Sequence, residues 1–170
     1  MIITGNEEMA KNMRLLRNHG SAVKYHHTTL GYNSRLDEIQ AAIIRVKMKK
    51  LEEFNDKRRI NADIYRTLIK RDDITLPIEL PSCRHVYHQF TIRSKNRDGL
   101  MKTLQNENVS SAIYYPVPLH RQEVFTRQHI RTENLTNSET CAAEVLSLPM
   151  FPELEKDEIE HVSNVINHAP

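Results

Sequence analysis

The run Gly31-Tyr32-Asn33-Ser34-Arg35 places a flexible residue, a carboxamide and a guanidinium just ahead of a stretch with helical apolar spacing. Amide and guanidinium groups are good donors to a phosphate or carboxylate, and a helix N-terminus adds free N–H groups and the positive end of its dipole. Asn33 and Arg35 are therefore candidates for an anion site. On these residues alone, an ordinary capped helix start with a surface arginine describes the segment at least as well, because such caps are common.

A second candidate is Tyr114-Tyr115-Pro116-Val117-Pro118-Leu119-His120, where two prolines force an extended turn and deliver His120 from a rigid loop. A plain structural turn with an exposed histidine fits equally well. The nine histidines, His26-His27 and the pair His85 and His88 among them, raise the question of a metal. A strand through this stretch would point residues three apart to opposite faces, and no carboxylate or cysteine set completes a site, so no metal is expected. Cys83 and Cys141 lie far apart without a redox or zinc spacing, and are expected as buried thiols in a reducing compartment. The cations Lys47, Lys49, Lys50, Lys57 and Arg58 alternate with Glu52, Glu53 and Asp56. Glu53 and Lys57 have helical ion-pair spacing, which describes a solvated face and not a nucleic-acid stripe. A net charge of +2 leaves room only for local anion sites.

The elements that must hold these groups follow from caps and periodicity. Met1 to Thr4 reads as the end of a strand. Asn6 caps a short amphipathic helix with Glu7 and Glu8 in its first turn, stopped at Gly20, and residues 21–30 read as a loop. Ser34 and Asp37 have capping-box spacing, and the apolar residues from Leu36 to Leu68 predict one helix from Arg35 to Ile69, about 50 Å long, with a bend near Asn55. Beyond the turn residues 72–82, strands are expected at Val86 to Ile92, Ser110 to Tyr114 and Leu146 to Pro149. Helices are expected at Asn96 to Asn106, after a Thr136–Glu139 capping box, and at Glu158 to Ile166. The fold class is α+β, with helices covering a small sheet. No apolar run approaches a membrane span and the start lacks signal-peptide character, so a cytoplasmic protein is expected.

The run Leu30 to Ala42 (Leu-Gly-Tyr-Asn-Ser-Arg-Leu-Asp-Glu-Ile-Gln-Ala-Ala) strongly resembles the DegT/DnrJ/EryC1/StrS family of pyridoxal-phosphate (PLP) aminotransferases of nucleotide-sugar metabolism. The likeness extends to Leu15 to Gly20, Arg45 to Lys47, Val86-Tyr87-His88, Tyr115 to His120 and Val145 to Pro149, in the family's order. It implies the C-terminal part of the aspartate-aminotransferase-like architecture (PLP fold type I). Residues 1–35 would be a remnant of the large PLP-binding domain, 36–70 a long bridging helix, and 71–170 a small α+β domain.

The family's cofactor lysine lies shortly before a Gly-Gly-x-Ile-Ile-Thr stretch, and this sequence opens at Met1-Ile2-Ile3-Thr4, so the resemblance implies that no catalytic lysine lies within it. PLP would then not be held stably by this chain alone. Carried over residue by residue, Asn33 would reach a neighbouring subunit's cofactor phosphate with Arg35 close by, His120 would face the sugar, and Tyr115 and His88 would be further substrate contacts. The wording around Asn33 to Glu38 looks more like relatives acting on 3-keto than on 4-keto sugars. Implied partners are a second copy or a PLP-domain-bearing chain, a nucleotide sugar and an amino-acid donor, with neither nucleic acid nor membrane. The alternative is a non-catalytic dimerisation module that pairs with a full-length relative.

Overall fold

Burial separates the chain into two parts of different character. The computed structural model describes residues 2–126 and 134–170, and divides into compact units 1–50 and 51–170. The cluster of buried apolar side chains lies entirely in the second unit. Among the described residues of the first, Gly20 alone is buried.

In the first unit, α1 (Glu7–Arg17) is capped as its sequence predicts. The Asn6 side chain accepts from the Met9 N–H at 3.0 Å, with Glu7 and Glu8 in the first turn and Arg14 and Arg17 in the last. The expected loop 21–30 instead folds back as a short antiparallel hairpin, β1 (Ser21–Val23) and β2 (His26–His27). The expected strand at the start does not form: residues 2–4 are irregular, Ile2 and Ile3 are exposed, and Met1 lies outside the described residues. The next helix, α2 (Glu38–Met48), is capped by Asp37, whose Oδ1 accepts from Ile39 N at 2.8 Å. The Ser34–Asp37 capping box is therefore not the helix start.

The predicted single helix from Arg35 to Ile69 is two helices, α2 and α3 (Leu51–Leu68), interrupted at Lys49 and Lys50 and not near Asn55. Charge order gives the reason. Arg45 and Lys47 close α2 at its negative end, while Glu52 and Glu53 open α3 at its positive end, so the dipoles favour an end and a new start over continuation. Lys50 N bonds Lys47 O at 3.0 Å, the tightened pattern of a terminating turn.

The second unit is built on a three-stranded antiparallel sheet in the order β3 (Ile74–Thr75), β4 (Phe90–Ser94), β5 (Val145–Leu148). Phe90 pairs with Leu148 and Ile92 with Leu146, all four buried. The sheet packs with α3, α4 (Arg97–Asn106) and α7 (Lys156–His168) into one core that includes Tyr65, Leu104, Ile159 and Ile166. The expected strand 146–149 and the helices at 96–106 and 158–166 correspond to β5, α4 and α7.

The strand expected over 86–92 begins only at Phe90, because α3 captures the residues before it with side chains. Arg59 donates to His85 O at 2.7 Å, and Glu79 accepts from Arg59 at 2.7 Å and from His85 N at 3.0 Å. Arg84 pairs with Glu52 and Asp56, and Arg66 donates to the Tyr87 hydroxyl, where φ is +45°. His85 and His88 thus lie on no strand. The strand expected at 110–114 reduces to one bridge, Ala112 with Ser147. Likewise α6 (Thr136–Glu144) forms without the Thr136–Glu139 box: no side chain caps it, and Thr136 Oγ1 bonds Asn134 instead. Cys83 and Cys141, expected buried, are both exposed. The Glu53–Lys57 ion pair forms at 3.0 Å. Among the described residues, no helix is long and apolar enough to cross a membrane.

Two outcomes test this frame. Phe90, fully buried and stacked on Tyr65 at 4.9 Å between ring centroids, is expected to cost about 3–5 kcal/mol when replaced by alanine, read from urea unfolding. The hydrogen bond from Arg59, then that from the His85 N–H, holds the Glu79 carboxyl down from 4.5 to about 2. A group whose pKa is lower folded than unfolded stabilises above its unfolded value and loses that contribution as pH falls. The gap in thermal midpoint between wild type and Glu79→Gln should be full above pH 4.5 and shrink as pH falls toward about 2; a gap independent of pH would contradict this.

Candidate functional site

The backbone around Asn33 is held before its side chain enters the question, and Arg35 follows directly on the held segment. Tyr32 N donates to Leu16 O at 2.7 Å, His19 N to Tyr32 O at 2.9 Å and Ser34 N to Arg17 O at 3.0 Å, so residues 32–34 are stapled across the end of α1. The staple depends on two glycines in contact. A Cβ on Gly31 would lie 2.1 Å from Gly20 N and 2.6 Å from Leu16 O, and one on Gly20, at φ +68°, would lie 1.9 Å from Thr29 O.

On this fixed backbone both side chains are exposed, and neither makes an ion pair or side-chain hydrogen bond among the described residues. A carboxamide and a guanidinium with unused N–H groups fit a phosphate, each donating to its oxygens. The start of α2 adds less than the sequence suggests. Asp37 already occupies that N-terminus with its own carboxylate and Glu38 follows it, so an anion there relies on the two side chains and not on free backbone N–H groups.

In the second unit, the proline segment forms the rigid turn its sequence predicts. Pro118 is extended, a 3-10 turn covers Leu119–Arg121, and Gln122 Nε2 bonds back to Val117 O at 3.2 Å. Tyr115, Val117, Leu119 and His120 line one wall of a groove of about 780 Å³, and Ser138, Cys141 and Ala142 of α6 line another. His120 Nε2 lies 3.0 Å from Glu139 Oε1, which also accepts from Arg121 Nε at 2.7 Å and lies 2.6 Å from Arg121 Nη2 in the same ion pair. The hydrogen bond from His120, followed by that from Arg121, holds the Glu139 carboxyl below the usual range.

The structure thus brings Tyr115 and His120 to one groove. His88 lines a separate cleft of about 390 Å³ with Gln89, Ser110, Ser111 and Ser147, and Tyr114 borders both. Asn33 and Arg35 belong to unit 1–50, and the other three to unit 51–170. No cluster of three or more metal-ligating side chains occurs among the described residues. Neither Glu139, which binds both His120 and Arg121, nor Arg121 itself lines the groove, and they carry no mark in the sequence: Glu139 has cap spacing from Thr136, and its contact to His120 spans 19 residues without a periodic signal.

With this geometry in hand, comparison with known proteins is informative. The DegT/DnrJ/EryC1/StrS aminotransferase family matches over residues 1–167. The chain is 44% identical to the pleiotropic regulatory protein of Geobacillus stearothermophilus, covering 95% of this chain and 44% of that protein. It is also 44% identical to the UDP-N-acetyl-3-dehydro-α-D-glucosamine 3-aminotransferase of Acidithiobacillus ferrooxidans, covering 99% of this chain and 45% of that one. The crystal structure of DesV from S. venezuelae superposes with a TM-score of 0.90 at 36% identity, covering 97% of this chain and 45% of DesV. Another solved relative, from Bacillus subtilis, holds the cofactor PMP. The chain spans less than half the length of the curated relatives named here.

Gly31→Ala is expected to break the staple. Amide exchange at Tyr32 and Ser34 should quicken at least about tenfold over wild type, whereas Gly5→Ala, with nothing within 4 Å of the added Cβ, should leave it unchanged. Equal exchange in the two variants would show that the glycine contact does not hold the segment.

Proposed function

Since this chain belongs to the DegT/DnrJ/EryC1/StrS aminotransferase family, we propose that it forms the C-terminal part of a PLP-dependent transaminase acting on nucleotide-linked keto-sugars. The observation that carries this reading is the pair Asn33 and Arg35, exposed and unpartnered on a backbone stapled to α1. The stapled backbone fixes where these free donors leave the chain, and the cofactor phosphate is the anion the family supplies.

In this reading residues 1–35 belong to the large cofactor domain, 36–70 to the bridging segment, here two helices, and 71–170 to the small domain. When bound, PLP supplies the electron sink through which an amino group moves from an amino-acid donor to the keto-sugar. The chain's own contributions are binding and orientation. Asn33 and Arg35 hold the phosphate, His120 and Tyr115 orient the sugar in their groove, and His88 adds a contact from the neighbouring cleft. No lysine here is assigned the catalytic role, neither Lys11 nor Lys24. That group belongs to the part of the relatives' length that these residues do not span, and the 170 residues alone are inactive.

A 3-keto sugar is the favoured substrate class, in keeping with the name of the Acidithiobacillus relative, and a cytoplasmic location accompanies it. The exposed Leu36, Ile39, Ile43 and Val46 of the α2 region call for cover by a second subunit or a PLP-domain-bearing chain, since contiguous apolar surface of this kind favours association. That same surface supports a second reading, a non-catalytic dimerisation module that binds a full-length relative.

The purified 170-residue chain should retain no PLP absorbance after desalting and show no transaminase activity. Co-expression with a lysine-bearing cofactor domain should restore both. In that complex Asn33→Ala and Arg35→Ala should each weaken PLP binding by about 1.5–3 kcal/mol, the range for a hydrogen bond to a charged group. Unchanged PLP affinity in both variants would sink the phosphate assignment, and a complex that binds PLP without transaminating would favour the dimerisation module.

A further inference from the structure

Glu139 meets His120 and Arg121 on a single oxygen. His120 Nε2 approaches Oε1 at 3.0 Å, and Arg121 reaches the same atom through Nε at 2.7 Å and Nη2 at 2.6 Å. The His120 side chain is 10% exposed. It lines the groove, yet its other ring nitrogen, Nδ1, has no partner among the described residues. A groove-lining side chain that is nine-tenths buried, with one ring nitrogen engaged and the other without a protein partner among the described residues, is a group set to meet a ligand.

We infer that Glu139 is a positioning residue that fixes His120 with its proton on Nε2, leaving Nδ1 as an acceptor for a hydroxyl of the ligand in the groove. The proposal rests on the reading that this groove takes the sugar. A carboxylate can only accept, so the nitrogen facing it must carry the proton, and in the neutral ring the lone pair then falls to Nδ1. A lone pair on Nδ1 suits an O–H donor and disfavours a phosphate, whose ionised oxygens only accept. The walls agree with a sugar ring: Tyr115, Val117 and Leu119 give an apolar flank for its C–H face, beside one directional acceptor. Glu139 thereby makes the groove favour a sugar that keeps the recognised hydroxyl over its deoxy analogue, because the deoxy form offers Nδ1 no donor.

The test is long-range proton–nitrogen NMR of the ¹⁵N-labelled chain above the histidine titration range, with His120 assigned by the signal lost in His120→Gln. The expected wild-type ring carries its proton on Nε2. Glu139→Ala should give a mixture of tautomers, and Glu139→Gln, whose amide oxygen still accepts, should restore the single form and keep the test open if the alanine variant does not fold. UDP-N-acetylglucosamine should move the Nδ1 resonance, and UDP alone should not. A wild-type ring protonated on Nδ1, or mixed, overturns the role of Glu139 without touching the sugar reading. A shift with UDP alone overturns the hydroxyl assignment in favour of phosphate. A single Glu139-dependent tautomer that neither nucleotide perturbs removes the sugar groove itself, and the hydroxyl assignment with it.

Discussion

Tyr65 lies fully buried in α3, its ring stacked on Phe90 and its hydroxyl donating to the Pro149 carbonyl at 3.0 Å. One side chain thus ties the helix to β4 and to the chain leaving β5. Burial pushes the phenol up, beyond its ordinary titration range, so the group stays a neutral donor throughout the physiological range. One turn away, Asn61 donates to Phe151 O and Leu154 O, securing the segment that leads into α7. The part-buried Arg59 and Arg66 of α3 hold Glu79, His85 and Tyr87. The cleft at His88 is lined by Pro149 and Phe151, whose carbonyls this helix ties down.

The first unit is organised on another basis. With no apolar core of its own, it depends on backbone hydrogen bonds between the end of α1 and residues 32–34 and on the close approach of Gly20 and Gly31. Such contacts define where a peptide runs while contributing little burial, and hydrogen bonds open to water are individually weak. Many of its apolar side chains, Ile39, Ile43 and Val46 among them, are exposed.

Much of this was legible in the sequence. Asn6, the acidic first turns and the apolar stripe of α7 marked helices correctly because caps and periodicity are local signals. The break between α2 and α3 was written in the charge order around Lys50, although the uninterrupted apolar spacing concealed it. The first residues of the expected strand at 86–92 looked right by composition and were lost to arginines twenty or more residues away, contacts without a periodic signature. For the site, residue types alone singled out Asn33, Arg35 and His120. Glu139 escaped because its spacing from Thr136 matches a cap, whereas its actual partners, His120 and Arg121, lie 19 and 18 residues away in the chain.

The pairing of Phe90 with Leu148 has a kinetic meaning. The proline turn, the 3-10 turn and α6 all lie between those two partners in the chain, so β4 and β5 close a loop that contains both walls of the larger groove. Loop closure costs entropy before the strands reward it, and distant pairings are slow steps in folding. The groove therefore has no existence as a local structure. It assembles only once the sheet has closed and dissolves as soon as the sheet opens. By mass action, a molecule that binds the groove only when it is assembled would stabilise the closed sheet.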